Sequence, residues 1–130
     1  MAGWLGLIAG GIAGTLSRYM LAGVVCQLVG TRFPYGTLLV NSLGCFLAGF
    51  LITLADGKLY LDANTRLLLF TGFCGAFTTF STFILETAQL VREGQMPAAF
   101  VNITASVVAG FVLFALGVML AELFVTQKVS

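Results

Sequence analysis

The 130-residue chain is 59% hydrophobic and only 8% charged, with a net charge of +1, which excludes an ordinary soluble globular protein. It has no histidine, and its three cysteines, Cys26, Cys45 and Cys74, lie in or beside apolar runs without CxxC spacing. A disulfide framework, a zinc site and general-base chemistry are therefore not expected, and the chain reads as an integral membrane protein that is not an enzyme.

Four apolar runs, about Trp4 to Leu28, Thr37 to Ala55, Thr65 to Val91 and Ala98 to Val125, reach the roughly 20 residues needed to cross a bilayer. They predict a single all-α membrane domain over residues 1–130, with short connections at Arg32-Phe-Pro34-Tyr35-Gly36, at Asp56-Gly57-Lys58 and at Arg92 to Pro97. No Lys or Arg precedes Trp4 and no A-x-A pattern closes a short apolar run, so a cleaved signal peptide is not expected. No nucleic-acid partner is expected.

In the first span Gly6, Gly10 and Gly14 recur every four residues and make one small ridge on which another helix can lie closely. A dinucleotide loop is excluded there, because no strand precedes Gly10-Gly11-Ile-Ala-Gly14 and no acidic residue follows at the expected distance. Arg18, inside the apolar run without an acidic partner, either snorkels toward the Arg32 side or lines an anion entrance.

The second span begins Gly36-Thr37-Leu-Leu-Val-Asn41-Ser42-Leu-Gly44. A carboxamide in hydrocarbon must find partners, so Asn41 either bonds the carbonyls of another helix or offers its NH2 to a pathway.

The third span is unlike a plain membrane helix. Gly72 and Gly75 lower helix propensity, and Thr78, Thr79, Ser81 and Thr82 put hydroxyls where hydrocarbon should be. The run is centred on Thr78, so a break from Gly75 to Thr78 is expected at the bilayer midplane. Carbonyls freed there need partners, and two copies meeting at such a break would offer hard oxygen ligands suited to a small cation. Phe80 and Phe83 share a helical face and can present positive ring edges to an anion, with Phe77 leading into that face. Gly, Ser and Thr are also common at plain helix contacts, and residue types alone leave that packing reading open. Glu86, one turn beyond Thr82, reads as a snorkelling or paired acid.

In the fourth span Asn102, Ser106 and Gly110 form one small polar stripe, expected to face the pathway. Asn102-Ile-Thr104 fits a glycosylation pattern but lies within a span. Asn41 and the hydroxyls of Ser81, Thr82 and Ser106 are the candidate donors along the path.

Loop cations are nearly balanced: Lys58, Arg66 and Lys128 on one side, Arg32 and Arg92 on the other. Orientation normally follows an excess of Lys and Arg on the cytoplasmic side, so this chain is expected to insert both ways round. An antiparallel homodimer with its two-fold axis in the membrane plane is the natural product.

The run Gly72-Phe-Cys-Gly75-Ala-Phe-Thr78-Thr79-Phe80-Ser81-Thr82-Phe83 closely resembles the third-helix signature of the Fluc fluoride channels, also called the CrcB family. Gly36-Thr37-Leu-Leu-Val-Asn41 resembles that family's second-helix pattern, whose asparagine lines the pore, and Arg18 follows a glycine-rich first helix as the family's arginine does. The resemblance implies a fluoride-selective channel in the inner cell membrane. Its implied architecture is four transmembrane helices with the third broken at mid-membrane, assembled as an antiparallel dual-topology homodimer. It places the family's phenylalanine box at Phe80 and Phe83 and a structural sodium ion on the backbone carbonyls of Gly75 and Thr78. The implied activity is passive export of fluoride that has entered as hydrofluoric acid. Two other readings are a small proton-coupled dual-topology drug exporter, which needs a mid-membrane carboxylate that the first span lacks, and a non-conducting membrane scaffold.

Overall fold

The computed structural model describes residues 2–57 and 61–126; Lys58 and Lys128, two of the five loop cations, lie outside the described residues. Four helical segments in it are long and apolar enough to cross a membrane, which makes the chain a multi-pass membrane protein.

Helix α1, Ala2–Val29, ends where Gly30 takes φ 85° and its N–H donates to the Cys26 carbonyl at 3.0 Å. A side chain rarely adopts that left-handed cap, so glycine is the residue that stops the helix. Pro34 then precedes α2, Tyr35–Gly57, and its carbonyl accepts from Leu38 N at 3.0 Å. The Asp62 carboxylate caps α3, Ala63–Arg66, by accepting from Thr65 N at 3.2 Å and from the Thr65 hydroxyl, bonds that hold its carboxyl below the usual carboxylate range.

The third span continues as a π-helical stretch, Leu67–Cys74, a short α4, Gly75–Phe77, two extended residues, and α5, Phe80–Arg92. It stops at Gly94, at φ 74°, where Gln95 N reaches back to the Leu90 carbonyl at 2.8 Å. Helix α6, Met96–Thr126, then starts with Pro97 in its first turn, where a missing N–H costs no helical bond.

Glycines set how closely these rods pack. The Gly6, Gly10 and Gly14 ridge of α1 faces the third span, and a Cβ on Gly10 or Gly14 would run into the backbone carbonyls of Leu68 or Phe73. The unusual π winding lies against this contact, with Gly72 against the Gly10 backbone. Helices α2 and α6 meet the same way, with Gly49 against the Phe114 carbonyl and Gly117 against the Phe46 carbonyl. Between 6% and 28% of the residues in each span's apolar window are buried, so most apolar surface points outward, as expected of a chain solvated by lipid.

Candidate functional site

The third span is interrupted at Thr78, with φ −86° and ψ 157°, and at Thr79, with φ −149° and ψ 115°. The residue pattern places the break from Gly75 to Thr78; instead Gly75 is helical and the two threonines carry the extension. The reason lies in their partners rather than in glycine flexibility. The Asn41 carboxamide donates from Nδ2 to the Thr79 carbonyl at 2.9 Å and accepts from Thr79 N at Oδ1 at 2.7 Å. Both main-chain groups of Thr79 are thereby satisfied outside a helix, and β-branched threonine sits comfortably in that extended region.

Each flank of the break has its own ties. Upstream, Thr78 N and its hydroxyl both donate to the Cys74 carbonyl at 3.0 Å, and Arg18 Nε donates to the Ala76 carbonyl at 3.0 Å. Arg18 is thus engaged with the carbonyl end of α4, where a cation opposes the helix dipole. Downstream, the Thr79 hydroxyl caps α5 by accepting from Thr82 N at 3.3 Å, and it pairs with the Thr82 hydroxyl at 2.9 Å. Gly44 of α2 makes room for the bend, because a Cβ there would overlap the Thr78 methyl group.

A groove of about 280 Å³ lies beside the break and brings together Asn41, Thr78, Phe80, Phe83 and Ser106. The Phe80 and Phe83 rings are 5.8 Å apart between centroids and tilted by 41°. Phe83 is 9% exposed, whereas Phe80 is 75% exposed, so one ring is fixed in the fold and the other stands at its surface. Ser106 Oγ is buried with no hydrogen-bond partner among the described residues. Of the other candidates, Ser81 is exposed and outside the groove lining, and Thr82 is committed to the α5 cap. Phe77 is buried elsewhere, stacked on Phe73 with centroids 5.6 Å apart.

A second cavity of about 220 Å³ lies under the α1–α2 connection, against Arg32, Thr37, Glu86, Gln89 and Glu93. Glu86 Oε1 accepts from the Thr37 hydroxyl at 2.9 Å, while its Oε2 is buried without a hydrogen-bond partner among the described residues. The polar stripe of α6 divides: Ser106 and Gly110 border open grooves, but Asn102, 1% exposed, donates to the Thr87 hydroxyl at 2.9 Å. Thr87 in turn donates to the Phe83 carbonyl at 2.7 Å.

Two phenylalanine rings, hydroxyls and an amide line the groove, and among the described residues its lining includes neither a carboxylate nor a cation. Such a surface can replace part of an anion's hydration without trapping it. Residues 5–118 match the family model described as CrcB-like protein, Camphor Resistance (CrcB). The chain belongs to the CrcB family. Relatives of this CrcB chain include proteins named fluoride-specific ion channel FluC. The one from Nitrosococcus oceani is 42% identical over 92% of this chain and 94% of the relative. The one from Desulforapulum autotrophicum is 46% identical over 87% and 90%, and the one from Maridesulfovibrio salexigens 41% identical over 95% and 98%. The matched region contains every candidate from Arg18 to Ser106.

Three contacts of this CrcB fold are not legible in the residues alone: the two hydrogen bonds between Asn41 and Thr79, the Thr37–Glu86 hydrogen bond, and the Asn102–Thr87 link. Adjacent β-branched Thr78 and Thr79 were the available signal for extended backbone. Nothing in the order of residues pairs Asn41 with a position 38 residues away.

Proposed function

We propose that this chain is a fluoride-selective channel of the inner cell membrane, lowering cytoplasmic fluoride by passive export. The observation that carries the reading is the Phe80–Phe83 pair set beside Asn41 and Ser106 in one open groove, in a chain whose relatives bear the fluoride-channel name over nearly their whole length. Fluoride is strongly hydrated and crosses only where each lost water contact is replaced. Ring edges supply positive potential, and the Ser106 hydroxyl, buried without a partner among the described residues, has a donor to give. Selectivity against larger halides follows from a narrow, rigid path, and conduction from the lack of any single tight site.

The working unit in this reading is an antiparallel dual-topology homodimer with the break at mid-membrane. The near-balance of loop cations supports two-way insertion. The groove is open along one side in a single chain, and Phe80 and Gly75 are exposed, so a second copy would close the path. The break is halfway along its span, and its carbonyls at the negative end of a short helix are hard oxygen donors that fit a small cation. Gly75 and Thr78 would hold a structural sodium ion through their backbone carbonyls. Bound there, sodium would raise the local potential for an anion and tie two copies together.

The test is fluoride efflux from liposomes containing the purified chain, read with a fluoride electrode, with chloride as the comparison ion. Rapid fluoride efflux without chloride efflux is expected. Efflux that requires a proton gradient would indicate a coupled exporter, and none at all would leave a membrane scaffold.

A further inference from the structure

We infer that Asn41 is a positioning residue for the aromatic pair, acting by pinning the backbone of Thr79. The inference rests on the channel reading of the groove. An asparagine beside a groove invites a direct role, its NH2 touching the ion. The bonds it makes assign it a further role: its acceptor and one of its two donor hydrogens are spent on the N–H and C=O of a single residue, at 2.7 and 2.9 Å. That is how a neighbouring strand holds the residue opposite it in an antiparallel ladder, and it fixes both soft dihedrals of Thr79 at once.

The helix after Thr79 inherits that constraint. With its backbone extended, the Thr79 hydroxyl is placed to cap α5 at Thr82 N. Phe80 is the first residue of α5 and Phe83 lies one turn on, so the direction in which α5 leaves the break sets where both rings stand. Phe83 is held a second time from behind, through Thr87 and Asn102, but Phe80, at the exposed edge, has the start of α5 as its main support. Upstream, Arg18 at the Ala76 carbonyl and Gly44 under the Thr78 methyl hold the other half of the break. Asn41 ties the break itself to α2, one turn along that helix from Thr37, which holds Glu86 farther down α5. Loosening Asn41 frees the start of α5 and blurs the spacing of the rings, and selectivity then falls together with rate.

Two measurements decide this. Amide exchange at Thr79, followed in nanodiscs with nitrogen-15 threonine, is expected to speed up at least about tenfold in Asn41→Ser, the loss of one good hydrogen bond, with α6 amides unchanged. The fluoride-to-chloride flux ratio is expected to fall in the same variant. Wild-type protection of Thr79 alongside lost flux would overturn the inference in favour of direct ion contact. Deprotection with unchanged flux and selectivity would overturn it as well.

The second measurement replaces the Thr79 N–H by an ester oxygen, which removes the donor to Asn41 without altering any side chain and weakens the Thr78 carbonyl equally in every background. The fluoride-flux loss it causes should be about tenfold larger in the Asn41 protein than in the Asn41→Ser protein. Equal losses in both backgrounds would mean that the two groups act independently and would sink the proposal. If the ester protein does not fold, the exchange experiment decides alone. Should the unmodified chain carry no fluoride, the channel reading fails while exchange at Thr79 still reports whether the clamp exists.

Discussion

Arg18 Nε donates to the Ala76 carbonyl at 3.0 Å, joining the middle of α1 to the last turn before the break in the third span. A guanidinium in an apolar span is costly without a partner, and a helix end with unsatisfied carbonyls is costly for the opposite reason. Placing one against the other offsets both. Arg18→Leu should therefore lower stability by about 1–3 kcal/mol, and Arg18→Lys should recover only part of it, since a flexible ammonium cannot reproduce the fixed N–H direction. Thermal denaturation in detergent would measure both.

For the rings, Phe80→Ile and Phe83→Ile should each reduce fluoride flux by about tenfold or more, because an aliphatic side chain retains bulk and loses the positive edge. Phe80 is exposed and Phe83 buried, so only Phe83→Ile should also lower the melting temperature. Unchanged flux in both variants, measured on monodisperse protein, would remove the rings from the path.

Close packing makes a sharper contrast within one helix. Gly14→Ala should destabilise by about 1–3 kcal/mol, since its methyl group would meet the Phe73 backbone, which cannot swing aside. Gly11→Ala, one turn away with nothing near its Cβ position, should be neutral or gain up to about 1 kcal/mol from helix propensity. Comparing the two melting curves checks this.

Asn102 is nearly fully enclosed and holds α6 to α5 through Thr87. Asn102→Ala should cost about 2–4 kcal/mol, combining a lost hydrogen bond with a small cavity, and the Thr87→Val change should cost less when added to it than alone. A double-mutant cycle on unfolding would show the coupling; strict additivity would separate the two residues.

Orientation is testable through charge. Two or three Lys residues added to the connection after α2 should drive nearly all chains into one orientation, and added beside Arg92 they should drive the other. Each biased variant alone should fail to protect cells from fluoride, and co-expression of both should restore protection. Full protection by one variant, with its orientation established by tag accessibility, would exclude the antiparallel assembly.

Much of the fold is legible in the residues alone. Residue type and run length determine four apolar spans, because the bilayer fixes how many residues a crossing takes. The Gly6-Gly10-Gly14 ridge is legible as a packing face, since residues four apart share one side of a helix. Polar residues at Thr78 to Thr82 mark the third span as irregular, since hydrocarbon tolerates such groups only against protein or water. Which residues carry the break is decided in three dimensions. Gly75 has the propensity to unwind, yet it stays helical, and Thr79 is extended because Asn41 of another span satisfies its N–H and C=O. Asn102 shares its spacing with Ser106, but the neighbour it meets is Thr87, so it serves as a tie between helices. Periodicity says which residues lie on one face of a rod. It does not say what the next rod places opposite them, and a carboxamide's bonds are set by that opposing surface.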